Sequence, residues 1–309
     1  MQGNREKRDT KEKLHPRNKH RERYNFRELC KSSPELTAFV KRNEYGDESI
    51  DFFNPAAVKI LNAALLKYFY KIEYWEIPGN YLTPPVPGRA DYIHYLADLL
   101  SENNRGKIPT GKKIKGLDIG TGANCIYPVI GVAAYGWSFV GTDIDTAAID
   151  AAAKIVALNS VLKGKVDLRL QQNKNHIFSG ILTENERFDF TICNPPFHAS
   201  ADEAQAGTIR KLRNLKRKNV KRATLNFGGQ SNELWCEGGE VQFITNMIRE
   251  SKQFRDSCLW FTTLVSKESN LTGFYKTLKS VGAAKVKTIP MGQGNKTSRL
   301  LAWSFSRRL

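Results

Sequence analysis

Beyond Pro109 the chain alternates short apolar runs with stretches in which apolar residues recur every three or four positions. The runs predict strands near 114–119, 138–143, 165–170, 188–193, 257–264, 283–289 and 299–306. The amphipathic stretches predict helices near 125–134, 146–159, 239–253 and 269–281. Parallel strands need crossover connections, so this alternation implies an α/β fold: a seven-stranded, mostly parallel sheet with helices on both faces. Upstream, Asn54 reads as a helix cap and Pro55 as a first helical residue, with Val58, Leu61, Leu65 and Tyr68 following on one face of a helix over 55–70. A proline-rich loop then feeds a second helix whose Ile93, Leu96 and Leu100 share a face. The organisation is therefore a basic, partly disordered arm over 1–24, a helical unit over 25–108, and an α/β domain over 109–309 with a basic insertion at 198–238.

Charge narrows the partners. The 309 residues hold 48 Lys and Arg against 31 Asp and Glu, a net charge of +17 that attracts polyanions. Nucleic acid is the leading partner class. A membrane-surface protein of this charge would show a basic amphipathic helix with an aromatic face or a lipidation signal, and neither is present. The uncharged stretch from Ile119 is interrupted by Gly120, Gly122, Asn124, Pro128, Gly131, Gly136 and Gly141, so it reads as turn, helix and strand and not as a membrane span. Cys30, Cys125, Cys193, Cys236 and Cys258 are scattered without a C-x-x-C pair, so no metal site or disulfide framework is expected. The N-terminus lacks the apolar core of a secretory signal, and a cytoplasmic protein is expected.

The first strand of the α/β domain runs into LDIGTGANCIYP. Gly120 and Gly122 at that turn let the backbone approach a ligand where a Cβ would intrude. A nicotinamide fingerprint places a third glycine where this chain has Cys125, while an acidic residue before the glycines, as Asp118 is, suits S-adenosylmethionine. The second strand closes on Asp143, a carboxylate able to accept both hydroxyls of a ribose, and the two signals together suit an adenosine-containing cofactor without separating S-adenosylmethionine from NAD. Asp145 reads as the cap of the helix starting at Thr146.

The fourth strand, FDFTIC, leads into Asn194, Pro195, Pro196 and Phe197. Two prolines stiffen the chain and remove two backbone donors, so carbonyls and the Asn194 amide oxygen can face an amine. An aromatic ring follows as a stacking platform. Acceptors beside a ring are the chemistry for gripping the exocyclic NH₂ of a planar base, the group that attacks an electrophilic methyl.

DIGTG followed by NPPF resembles the class I S-adenosylmethionine-dependent amino-methyltransferases, which modify adenine N6, cytosine N4 or a glutamine amide. Further segments, LHPRN, NPAAVKILNAALL, PPVPGRADYIHYLADLL, LDIGTGANCIYPVIG, CNPPFHAS, LNFGGQ, ELWCEGGEVQFI and LAWSF, resemble the bacterial 23S ribosomal RNA adenine-N6 methyltransferase F family from about Leu14 to Phe305. The chain is also similar to the catalytic domain of the vertebrate enzyme that methylates a spliceosomal small nuclear RNA, whose long C-terminal extension has no counterpart here. That difference favours the ribosomal substrate. The resemblance implies a Rossmann-like class I methyltransferase, S-adenosylmethionine as methyl donor, and 23S ribosomal RNA or a pre-ribosomal particle as partner of a monomer. It also implies that Arg89 in VPGR reaches the methionine carboxylate, that Gly120 and Asp143 contact the cofactor, and that Asn194 to Phe197 hold the target adenine. A guanidinium suits a carboxylate on chemical grounds as well. The vertebrate relative has Glu at the ribose position where this chain has the shorter Asp143.

Within the long loop, RKLRNLKRKNVKR packs eight cations and no acid, and Arg210, Lys211, Arg213, Lys216, Arg217 and Lys218 are the expected RNA-binding residues. Arg17 and Lys19, within LHPRNKHRERY, join them, although such a run also suits a solvated arm. His198 reads as a polar neighbour of the pocket more than as a base, since a methylated amine can release its proton to solvent. Trp235, Glu237, Gly238, Gly239 and Glu240 form either a second pocket wall or a glycine turn opening the next helix. Two rival functions share these motifs: a glutamine-amide methyltransferase acting on a ribosome-associated protein, and a non-catalytic RNA-binding assembly factor.

Overall fold

The computed structural model describes residues 13–79, 81–200, 203, 235–293 and 296–307. Seven strands form one sheet: β3 (Lys115–Ile119), β4 (Ser138–Asp143), β5 (Val166–Leu170), β6 (Phe188–Cys193), β7 (Cys258–Val265), β8 (Lys285–Gln293) and β9 (Lys296–Ser304). Their order across the sheet is β5-β4-β3-β6-β7-β9-β8. The first five are parallel, and β9 runs antiparallel to both β7 and β8. The chain builds outward from β3 to β5, then returns to place β6 on the other side of β3. The gap between β3 and β6 is therefore the topological switch point, where α/β sheets open a crevice at the carboxyl ends of their strands.

Helices α4 (Ile126–Tyr135), α5 (Thr146–Leu158), α6 (Gly239–Ser251) and α7 (Leu271–Val281) cover the sheet. Alternation along the strands separates two cores: Phe139, Phe190 and Trp260 pack with the helices α2 (Pro55–Tyr70), α3 (Val86–Glu102) and α4, while Leu117, Val140 and Phe261 pack with α6 and α7. Gly116 on β3 has no room for a side chain, since a Cβ there would sit 2.6 Å from the Phe190 ring. The uncharged stretch from Ile119 is indeed turn, α4 and β4, and no described helix is long and apolar enough to cross a membrane.

The N-terminal unit begins with α1 (Phe26–Ser32) and includes a small antiparallel pair, β1 (Val40–Arg42) with β2 (Glu48–Ile50), that periodicity does not reveal in three-residue strands. Asn54 caps α2 by accepting from the Ala56 amide at 3.0 Å, and Pro55 opens it. Leu61 and Leu65 are buried as expected, but Tyr68 is exposed and Val58 half-buried; Ala57, Ala64 and Leu66 complete the inner face instead. On α3, Ile93, Leu96 and Leu100 are all buried.

Residues 14–24 depart from the expected arm, whose first twelve residues lie outside the described ones. Leu14, His15, Asn18 and His20 are buried, and the segment is a strap across α3. Asp91 on α3 accepts from the His15 amide at 2.9 Å and from the Asn18 side chain at 2.5 Å, and Asn18 also donates to the Pro87 carbonyl at 2.9 Å. Arg17 donates to Asp98, the His94 carbonyl and the Tyr135 hydroxyl, and Lys19 donates to the Phe69 carbonyl. The two cations expected to bind RNA are exposed and already donate to protein acceptors in the free chain.

Candidate active site

The carboxyl ends of β3, β4 and β6 and the first turn of α3 converge. Gly120 follows β3 with φ of 71°, a left-handed conformation, and a Cβ built there meets nothing within 4 Å. Open space thus lies against bare backbone at this turn. Gly122, at φ 65°, donates its amide to Asp143 Oδ2 at 2.9 Å. Cys125, where a dinucleotide fingerprint has its third glycine, also holds a left-handed backbone at φ 50° and starts α4.

The two carboxylates differ sharply. Asp143, at the end of β4, accepts from the Gly122 amide and, at 3.0 Å on its other oxygen, from the Asp145 amide. Those bonds fix its orientation and leave lone pairs for further donors. Burial raises its pKa, while the amides of Asp145 and Gly122 oppose the shift. Asp118 is wholly buried, and neither of its oxygens has a hydrogen-bond partner among the described residues. Burial pushes its pKa up to about 7, against the pull of the neighbouring Thr121 hydroxyl. An unpaired buried carboxyl is costly, and a polar ligand delivered to it offsets that cost. Asp145 caps α5 by accepting from the Ala147 amide, as expected, and also receives the Tyr81 hydroxyl at 2.7 Å.

Arg89, in the first turn of α3, points one guanidinium nitrogen at Asn194 Oδ1 and at the Tyr127 hydroxyl, both at 2.8 Å. Its carbon lies 5.5 Å from the centre of the Tyr127 ring. Both partners are neutral. The structure thus brings together Arg89, Asp118, Gly120, Gly122, Asp143 and Asn194, the residues the sequence singled out on four separate segments. Tyr127 was missed; its signal was an aromatic directly after the glycine turn, in LDIGTGANCIYP, where core packing is the ordinary reading.

After β6, Asn194, Pro196 and Phe197 are half-buried and Pro195 is buried. His198 pairs with Trp235 in a parallel bridge, and the Cys236 amide donates to the His198 carbonyl at 3.1 Å. The far end of the long insertion is thereby zipped to the exit of the NPPF segment. Gly238 and Gly239, at φ 73° and 60°, form the turn opening α6, and a Cβ on Gly239 would come 3.1 Å from the Ala199 amide. Glu240 is buried, receiving the Ser266 amide and the Asn270 side chain, so it pins the loop after β7. Trp235 stays beside the site, its indole nitrogen buried and without a partner among the described residues. Arg210, Lys211, Arg213, Lys216, Arg217 and Lys218 lie outside the described residues.

Comparison with known proteins agrees with this geometry. The sequence model of an RNA methyltransferase family matches residues 8–307. Ribosomal RNA large subunit methyltransferase F of Cytophaga hutchinsonii is 60% identical over 97% of this chain and 93% of its own length. The protein of the same name from Bacteroides fragilis is 56% identical over 94% of this chain and 98% of its own. Among solved structures, the catalytic domain of human METTL16 in complex with a MAT2A 3′UTR hairpin superposes with a TM-score of 0.78 at 30% identity, covering 95% of this chain and 96% of that one. The N-terminal domain of human METTL16 in complex with SAH gives 0.74 at 28% identity, covering 95% and 99%. Strand order and superposition together identify the Rossmann-like class I methyltransferase fold expected from the sequence. With a family model spanning almost its whole length and relatives identical at more than half of their positions, the chain belongs to the RNA methyltransferase family.

Proposed function

We propose that this protein transfers the methyl group of S-adenosylmethionine to N6 of one adenine in 23S ribosomal RNA, acting as a cytoplasmic monomer on the RNA or on a pre-ribosomal particle. The observation that carries the reading is the juxtaposition of an unpaired acid and an open glycine turn on β3 with an amide acceptor at the end of adjacent β6. The ribosomal substrate is supported by the names of the bacterial relatives. The choice of adenine N6 rests on the resemblance of the NPPF segment and its flanks.

The residues present fit the donor. Asp143 suits the ribose hydroxyls, Gly120 leaves room for close approach, and Asp118 and Arg89 offer a carboxyl group and a guanidinium to the charged amino-acid end. When bound, S-adenosylmethionine supplies an electrophilic methyl group on a sulfonium. The protein's part is alignment. Asn194 Oδ1 and the carbonyls held by Pro195 and Pro196 accept the hydrogens of the target amine, so that its lone pair turns out of ring conjugation. Phe197 stacks on the base once it is flipped from its helix. The proton released from the methylated nitrogen passes to solvent. The basic run containing Lys216, Arg217 and Lys218 grips the backbone flanking the target.

Mass spectrometry of ribosomal RNA nucleosides from cells with and without this chain tests the reading. One N6-methyladenosine should disappear from the 23S RNA when the chain is removed. An unchanged nucleoside profile, with labelled methyl found instead on glutamine of a ribosome-associated protein, overturns it.

A further inference from the structure

Arg89 is half-buried, and its described partners are the neutral oxygens of Tyr127 and Asn194. No described carboxylate forms an ion pair with it. The Asp118 carboxyl feels its charge without bonding to it, so the guanidinium has no bonded anion while it rests on the oxygen that the chemistry needs as an acceptor. Asn194 Oδ1 has two lone pairs, and a cationic donor on one of them weakens the other as a base.

We infer that Arg89 couples the two halves of the site. With no cofactor it caps Asn194, and the carboxylate of the cofactor's amino-acid end draws it off, so the acceptor for the adenine amine becomes available only after the donor has bound. Tyr127, on the first turn of α4, is a positioning residue in this scheme. Its hydroxyl holds Arg89 at the border between the two subsites, 2.8 Å from one guanidinium nitrogen that it shares with Asn194. The inference rests on the reading of the pocket as an S-adenosylmethionine site. It adds an order of binding and a physical reason for it: adenine captured before the donor would meet an acceptor already engaged.

The coupling is measurable without turnover. S-adenosylhomocysteine and its decarboxylated analogue differ only in the carboxylate. Binding of a short single-stranded RNA bearing one adenine among uridines should tighten about fivefold or more when the protein is saturated with S-adenosylhomocysteine, and should not tighten with the decarboxylated compound. The gain should vanish when purine riboside, which lacks the amine, replaces the adenosine, and also in Asn194→Ala. In nitrogen-15 spectra the Asn194 side-chain amide, assigned by its loss in Asn194→Ala, should shift with S-adenosylhomocysteine and stay in place with the analogue. Equal RNA affinity and an equal Asn194 shift with the two compounds, both shown by calorimetry to be bound, overturn the coupling and leave the cofactor reading intact. Failure of S-adenosylhomocysteine itself to bind overturns both.

Discussion

Asp91 and Asp118 are equally buried, and their surroundings are opposites. Asp91 lies under the strap of residues 14–24, where it accepts two hydrogen bonds from His15 and Asn18. Asp118 lies at the carboxyl edge of β3, with neither oxygen partnered among the described residues. Around Asp91 the strap's cations are likewise matched: Arg17 by Asp98 and Tyr135, and Lys19 by a backbone carbonyl. Near Asp118, Arg89 feels the acid's charge but directs its described hydrogen bonds to neutral oxygens. Polar groups that satisfy one another hold a fold together, whereas polar groups left over in a pocket await a ligand. Composition cannot tell these cases apart.

The comparison breaks first at the site. Asn194→Ala should lower methyl transfer by about 10²- to 10³-fold, in the range of other preorganised hydrogen-bonding groups. S-adenosylhomocysteine and RNA should still bind. Single-turnover assays alongside calorimetry check this, and wild-type turnover in the variant would refute the proposed role. In the strap the matching change, Asp91→Ala, should act on stability alone. It strands two buried donors, at about 2–4 kcal/mol. Denaturant unfolding should show that loss, with turnover retained by the fraction that remains folded.

A third test uses the leftover acid. Asp118 has its folded pKa raised to about 7, so in the unliganded protein it is mostly protonated below that value and becomes a buried anion above it. A raised carboxylate pKa favours the folded state at low pH and loses that advantage as pH rises from the unfolded value toward the folded one. The melting temperature of unliganded wild type should therefore fall relative to Asp118→Asn between about pH 4 and about pH 7. If the anion receives the cofactor's ammonium, cofactor affinity should rise across the upper part of that interval in wild type and stay flat in Asp118→Asn. Parallel curves for the two proteins would remove Asp118 from the binding site. Asp143→Ala should weaken cofactor binding about tenfold, or about 1.4 kcal/mol, because the remaining groups still hold the ligand.

Much of this was legible in the sequence for a physical reason. Strands β3, β4 and β6 are short apolar runs with Asp118 and Asp143 at their carboxyl ends and Asn194 just beyond, so a parallel arrangement alone carries those residues to one edge. Capping was equally readable, as Asn54 and Asp145 show, because it is decided within four residues. The strap was not legible. LHPRNKHRERY has the composition of a solvated, phosphate-binding arm, and only the partners 70 to 120 positions away, at Asp91, Asp98 and Tyr135, reveal that it is buried. Tyr127 was hidden by the opposite effect: a tyrosine in an apolar helix reads as core, and it is buried, yet its hydroxyl faces Arg89. Long-range partners decide both cases.

The smallest expected effect is the one that separates the two basic segments. Neutralising Lys216, Arg217 and Lys218 together should lower RNA affinity and flatten its dependence on salt, by a log-log slope of about 0.7 for each single-strand phosphate that is no longer paired with a cation. Cofactor affinity should not move. Arg17→Ala with Lys19→Ala removes two cations that already donate to protein acceptors, and it should leave the slope nearly unchanged. Its cost falls on the strap, as a modest loss of stability of about 1 kcal/mol from partly exposed bonds. Anisotropy titrations at three or more salt concentrations, with urea unfolding of both variants, distinguish the outcomes. If the strap variant flattens the slope as much per charge as the loop variant, Arg17 and Lys19 reach phosphates in the complex. The strap would then be released when RNA binds, and its hydrogen bonds would describe only the free protein.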